Sequence, residues 1–343
     1  EFDSLFVTLN LYDSRTAALA ATGRGTGSLS EASSGQITGR AMLGVFPALI
    51  PAGEHPDLDF LFDPNPTAVG LMLQGQRYYR DLQFDSAYIL MREAVGLDSL
   101  LALAALRGAQ AASWAHREDQ ADSLLLLAVR HDSLLPPHQA NLARGLHAYY
   151  SGDADGAVHF YREALGWNSE WSEAWVALGE VFYHLLPDGI AVPDSAENAF
   201  TRAVSIDPGF RTPRLHLAQI ALSSGRVQEA EEHITELKLT DVGASDLLGL
   251  ETALECLQSP LDQGAWDQLA VLDPVATYQA ASDLATAGVQ PLCAEQAFRA
   301  LFEASQHPHA SRYEEGSVMG LAGVLVASGK SGEAALFLDS VQA

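Results

Sequence analysis

A single recurring pattern constrains this chain more than anything else in it. A small residue is followed four and seven positions later by a larger apolar residue and a second small one, and the motif returns at nearly constant spacing. "AYILMREAVGLDS" supplies Ala87, Met91 and Ala94, and "ADSLLLLAVRHDS" supplies Ala121, Leu125 and Ala128. "AVHFYREALGWNS" supplies Ala157, Tyr161 and Ala164, and "AENAFTRAVSIDP" supplies Ala196, Phe200 and Ala203. The anchoring alanines stand 34, 36 and 39 residues apart, and Ala230 follows after another 34. Two weaker copies end the chain, with Ala294, Phe298 and Leu301, then Ala334, Leu338 and Val341. Residues at i, i+4 and i+7 share one face of a helix. Self-similarity at this period marks a supersecondary unit that buries its apolar face only by stacking on copies of itself.

Each anchor is preceded by a second helical run. Twelve residues upstream lies another small residue: Gly75, Ala109, Gly145 and, in the fifth copy, Ala218. In the fourth copy it is Gly179, 17 residues before Ala196, because "LLPDGIAVPDS" inserts about five residues. A glycine inside a helix costs about 1 kcal/mol relative to alanine. Its recurrence predicts that a second helix crosses there and needs the room. Trp175 and Phe182 lie on the same face, one turn to either side of Gly179.

The pattern resembles the tetratricopeptide repeat, a 34-residue helix-turn-helix unit with the signature W-x2-L-G-x2-Y…A-x3-F-x2-A…P. The fourth copy matches with Trp175, Leu178, Gly179 and Phe182, then Ala196, Phe200, Ala203 and Pro208. The first has Gly75, Tyr78, Ala87 and Ala94, with Ser99 where the family usually has proline. The resemblance implies a mainly α protein, a right-handed solenoid of about seven helix pairs. Its regular part is expected over residues 67–241 and a degenerate part over 242–343, where "GLETALECLQSPLDQGAWDQLAVLDP" keeps only Pro274 in register.

In that family the first helix of each pair lines a concave groove, with ligand contacts four and five positions after its glycine. Carried onto this chain, the rule selects Tyr79 and Arg80, Ser113 and Trp114, Tyr149 and Tyr150, then Tyr183 and His184. Tyr79, Trp114, Tyr149 and Tyr183 recur at intervals of 35, 35 and 34 residues, one per repeat. They are read either as rings packed between repeats or as an aromatic ladder that grips an extended peptide or helix. Gln110, Glu180 and Gln219 would supply hydrogen bonds between the rings. The fifth copy offers only Leu222 and Ser223 at the matching positions.

Ahead of the repeats, Leu5, Val7, Leu9 and Leu11 alternate with Thr8 and Asn10, which is strand periodicity. "DSRT" makes a turn, "AALAATGRGTG" returns as a partner strand, and a helix is expected over 30–47. An isolated hairpin is marginal in water, so residues 1–50 are expected either to lie against their own helix or to be the remnant of a larger α/β domain. The order of elements resembles the end of a TolB/FlgO-like domain, as found before repeats in bacterial regulators that include serine/threonine kinase-like receptors. "EFDSLFVTLNLYD" reads as an internal start, and "IPAGEHPDLDFLFDPNP" as a linker over 51–66.

The formal charge of −25, from 44 acidic and 19 basic residues, argues against a nucleic-acid partner. Only Lys238 and Lys330 are lysines, a bias that points to a GC-rich bacterial genome or, second, to adaptation to salt. There is no run of 18 apolar residues, so association with a membrane complex would go through a partner. Cys256 and Cys293, 37 residues apart in no ligand pattern, are expected as two small buried side chains. They leave a cytoplasmic or periplasmic location open.

"GRGTGS" at 23–28 lacks the surroundings of a nucleotide loop and reads as a hairpin end. "HPH" at 307–309 lacks neighbouring cysteine or carboxylate ligands, and no metal or cofactor is expected. The sequence therefore predicts a non-enzymatic scaffold that holds a protein partner. The alternatives are a subunit built permanently into a larger complex, or the regulatory region of a kinase-type receptor.

Overall fold

The computed structural model describes residues 4–12, 18–28, 37–38, 41–42, 45, 65–115, 117–186, 196–239, 244–287 and 290–342. Most of the expected helix over 30–47, the "DSRT" turn and nearly all of the expected linker lie outside these residues. The chain forms two compact units, residues 1–210 and 211–343. Among the described residues the protein is a short antiparallel hairpin followed by sixteen α-helices.

The hairpin pairs β1 (Ser4–Tyr12) with β2 (Leu19–Ser28), Val7 opposite Gly25 and Leu9 opposite Gly23. Leu5, Val7, Leu9 and Leu11 are half-buried while their neighbours are exposed, as the alternation requires. Residues 37, 38, 41 and 42 are helical, with Ile37 and Ala41 fully buried. A side chain at Gly25 would lie 1.9 Å from the Ile37 carbonyl oxygen. "GRGTGS" is thus the end of β2, where glycine lets a helix rest directly on the strand.

The first unit contains four helix pairs. They are α1 (Pro66–Arg80) with α2 (Phe84–Leu97), α3 (Ala102–Trp114) with α4 (Glu118–Arg130), α5 (Pro137–Tyr150) with α6 (Ala154–Trp167), and α7 (Ser172–His184) with α8 (Ala196–Ile206). The anchors Ala87, Ala121, Ala157 and Ala196 are all buried on the second helix of their pair. At the crossings the glycines sit under large side chains. A Cβ on Gly145 would lie 2.3 Å from the Tyr161 ring, one on Gly179 2.5 Å from the Phe200 ring, and one on Gly75 3.1 Å from Met91. Trp175 is half-buried beside this contact and donates its indole N–H to the Ser169 carbonyl at 2.9 Å. Pro208 follows the end of α8.

The turn inside the pair is equally regular. The N–H groups of Gln83, Arg117 and Asp153 donate to carbonyls five residues back, those of Tyr78, Ala112 and Ala148, at 2.8–2.9 Å. This closure needs a left-handed residue just past the helix. Gly152 fills it at φ 73°, and the buried Leu82 fills it at φ 59°.

The second unit begins with the pair α9 (Thr212–Ser223) and α10 (Val227–Lys238), where Ala230 is buried and Gly225 takes the left-handed turn. The order then changes. α11 (Ala244–Gln258) packs on α13 (Pro274–Ala287), and α12 (Gln263–Leu272) packs chiefly on α14 (Pro291–Ser305). Pairing resumes with α15 (Glu314–Ala327) and α16 (Ser331–Gln342), joined by the same turn at Gly329. This interleaving brings Cys256 of α11 to Cys293 of α14, and the two form a disulfide. Both cysteines are buried, as expected, but the bond between them is not foreseen in the sequence. Helices that exchange partners bring together residues that a uniform hairpin register would keep apart.

Asp283 is buried within α13. One oxygen accepts from the Gln279 amide at 3.0 Å, and the other has no hydrogen-bond partner among the described residues. Burial pushes its carboxyl from the ordinary 3.8 up to about 8, a rise that the Gln279 bond only partly opposes.

Two outcomes follow from these contacts. Gly179→Ala gains about 1 kcal/mol of helix propensity but forces a methyl into the Phe200 ring. Overpacking of that kind costs about 1–3 kcal/mol. The variant should unfold at lower denaturant than the parent, and Phe200→Leu in the same chain should cost less than the two changes summed. A Gly179→Ala protein as stable as the parent would refute the close crossing.

The folded chain holds a proton on Asp283 that the unfolded chain releases. The contribution of Asp283 to stability should therefore fall as pH rises from about 4 to about 8 and change no further above that. Asp283→Asn should flatten this slope in melting curves taken across the window. An unchanged slope would mean that the carboxyl is solvated.

Candidate functional site

The inner helices of the first unit, α1, α3, α5 and α7, converge on one cavity. α3 shows why. Its sequence "ALAALRGAQAA" is apolar almost all round, and every residue from Ala102 to Ala112 is buried. A helix with no polar face must be covered on every side. Its one charged residue, Arg107, forms an ion pair with Glu173 of α7, and the two side chains are only 4% and 6% exposed. Arg107 also donates to the Gln110 amide oxygen at 3.1 Å. This pair joins the second repeat to the fourth across the inside of the unit.

A second contact spans the full set. Arg80, at the end of α1, forms an ion pair with Asp207 just past α8, 127 residues along the chain. Its guanidinium lies 5.1 Å from the centre of the Phe210 ring. The Phe210 ring is also 6.2 Å from that of Tyr79. The first and fourth pairs therefore meet, and the inner face encloses a cavity of about 300 Å³.

The residues selected in the sequence divide as follows. Tyr79, Gln110, Ser113, Trp114, Tyr149, Tyr150, Glu180 and His184 line the cavity. Arg80 closes against Asp207 and Phe210. Tyr183 turns to Phe200 and His184, with ring centres 6.4 and 4.7 Å away. Gln219 belongs to the second unit, where it is buried and hydrogen-bonded to His216 at 2.8 Å. Part of the ladder is itself packed: Trp114 stacks on Phe84 at 5.0 Å, and Tyr79 meets the same ring edge-on at 5.5 Å.

Glu173, Tyr161 and Phe210 also line the cavity and were not selected. Arg107 in the middle of an alanine-rich helix was the available signal for the ion pair. Nothing in the repeat pattern points to Phe210 or Asp207.

Burial pushes the hydroxyls of Tyr79, Tyr149 and Tyr150 well above the usual tyrosine range, and the charge of Glu180 adds to the rise in all three. They stay protonated and can donate hydrogen bonds. The Trp114 indole is hydrogen-bonded to the Tyr79 hydroxyl, and Ser113 to that of Tyr150. Glu180 lies 3.3 Å from the His184 ring nitrogen. His307 and His309, by contrast, stand exposed in a turn of the second unit with ring centres 6.1 Å apart.

A helical repeat scaffold with an aromatic, acidic inner cavity is the class that these features define. A family model described as "Tetratricopeptide repeat" matches residues 193–254. Nothing matches the chain among curated proteins. Among solved structures it is similar to PilF of Pseudomonas aeruginosa, at 18% identity over 61% of this chain and 92% of that one, with a TM-score of 0.36. PilW, a type IV pilus biogenesis factor, is 16% identical over 64% of this chain and 93% of its own, also at 0.36. Human IFIT1 is 15% identical over 89% of this chain and 68% of its own, at 0.42. At these identities and scores the likenesses say nothing about a ligand. Among the described residues no helix is long and apolar enough to cross a membrane.

The Arg107–Glu173 pair yields a test of how the cavity is held. Removing one partner leaves a buried charge uncompensated, so Glu173→Leu alone should cost about 3–5 kcal/mol. Replacing both, as Arg107→Met with Glu173→Leu, should restore most of that loss in chemical denaturation. Equal losses in the single and double variants would show that the pair is hydrated.

Proposed function

We propose that this chain is a non-enzymatic scaffold that holds a protein partner at the inner face of its first unit. The observation that carries the reading is the cavity itself, bounded by Tyr79, Trp114, Tyr149 and Tyr150 on three helices. Large rings with few rotatable bonds make strong anchors at little ordering cost. Helices stacked in fixed register present them already arranged, so binding orders the partner more than the scaffold.

A second reading has its own observation. Phe6 and Tyr12 on the outer face of β1 are 71% and 57% exposed, and among the described residues neither outer edge of the hairpin is paired. An exposed strand edge is a template for pairing with another chain. This supports a subunit that docks through its hairpin into a larger complex, or a segment of a longer regulatory protein.

Tagging the chain in its source organism, purifying gently and identifying what comes with it separates the two. A stoichiometric partner lost in the Trp114→Ala, Tyr149→Ala double variant would support the inner face. A partner that survives those changes and disappears on deletion of residues 1–50 would move the interface to the hairpin.

A further inference from the structure

The lining of the cavity in the first unit is chemically one-sided. Its aromatic members surround three carboxylates, Glu118, Glu173 and Glu180, and among the described lining residues there is no lysine or arginine. Glu173 is 5% exposed. One of its oxygens pairs with Arg107, while the other is buried without a hydrogen-bond partner among the described residues. Leaving a buried acceptor unmade is costly, so this oxygen marks a place where a donor is missing. Aromatic rings present negative faces that attract cations, most strongly where water is excluded. A volume of about 300 Å³ lies at the small end of ligand sites.

We propose that this cavity receives an organic ammonium group, held among Tyr79, Trp114, Tyr149 and Tyr150 with Glu173 and Glu180 as acceptor and counter-charge. An ammonium fits better than a guanidinium. The planar fork of arginine is matched by a carboxylate with both oxygens available, whereas a compact ammonium needs only one, and Arg107 already occupies the other oxygen of Glu173. The tyrosine hydroxyls, held protonated by burial, keep the rings neutral and leave their faces available. With a net charge of −25, the chain as a whole favours the approach of a cation. The ammonium can be the end of a partner's lysine side chain, in which case the inference rests on the scaffold reading above, or a free aliphatic amine.

The test compares N-acetyl-lysine amide with N-acetyl-norleucine amide, which has a closely similar side chain without the charge, by ligand-observed NMR and calorimetry on the full chain. Spermidine serves as the free-amine probe. Binding of the lysine amide or spermidine, but not the norleucine amide, is expected. The bound cation should weaken about tenfold in Tyr149→Leu and in Glu180→Gln. Glu180→Gln keeps shape and sits outside the buried ion pair, so its folding is secure enough for the comparison, and a circular-dichroism melt checks it. Equal binding of the charged and uncharged amides would overturn the proposal, as would binding of neither.

The sources separate as well. Lysine amide preferred over spermidine, with a co-purified protein lost on the same substitutions, assigns the ammonium to a partner. Spermidine preferred, with no protein recovered, sustains the ammonium site while removing the scaffold reading. A protein partner lost in the Trp114→Ala, Tyr149→Ala variant, with no response to any amine, keeps the scaffold reading and removes this one.

Discussion

Where two helices of a pair cross, one of them presents bare backbone. Tyr161 lies against Gly145 and Phe200 against Gly179, and no side chain larger than hydrogen fits beneath either ring. The remainder of the first unit depends on this close approach. It brings each pair near enough for the second-helix alanines to be buried, and it turns the first helices inward with their rings in register. Seven residues after Gly75 and Gly145, the left-handed residues Leu82 and Gly152 set the direction in which the second helix returns.

The inner face is thereby a matter of geometry first and chemistry second. Where four pairs have turned far enough for α1 to meet the end of α8, the inward-facing Tyr79, Gln110 and Glu173 are removed from water. Desolvation then raises the tyrosine hydroxyls and makes the Arg107–Glu173 pair a joint between repeats, because each charge has become expensive to leave alone.

How much of this was legible in the sequence varied with distance along the chain. The anchors Ala87, Ala121, Ala157, Ala196 and Ala230 and the crossing glycines could be read directly, because helix periodicity and the room needed at a crossing are local properties. The hairpin could be read from its alternation. Tyr79, Trp114 and Tyr149 were found by repeat register, and the cavity does bring them together. Tyr183 obeys the same register yet turns away, because Phe200 offers it a ring to pack on. Asp207 and Phe210 were not legible: their partners lie more than 120 residues upstream, and only the accumulated turn of four pairs brings them close. The Cys256–Cys293 bond was hidden for a similar reason, since it depends on α11 to α14 exchanging partners where the repeat spacing has decayed.

The contact between Arg80 and Asp207 alters how the first unit shares its stability. In an open repeat array each unit touches only its neighbours, so the free energy adds up link by link and an end can fray without consulting the middle. Here the two ends of a four-pair row hold each other, and the row has become a ring. Opening any one link now strains the others, and fraying at α1 also releases the segment after α8. A chain whose sequence describes a linear polymer of hairpins therefore behaves, over these residues, as a closed cooperative body, with the cavity as the space that the closure creates.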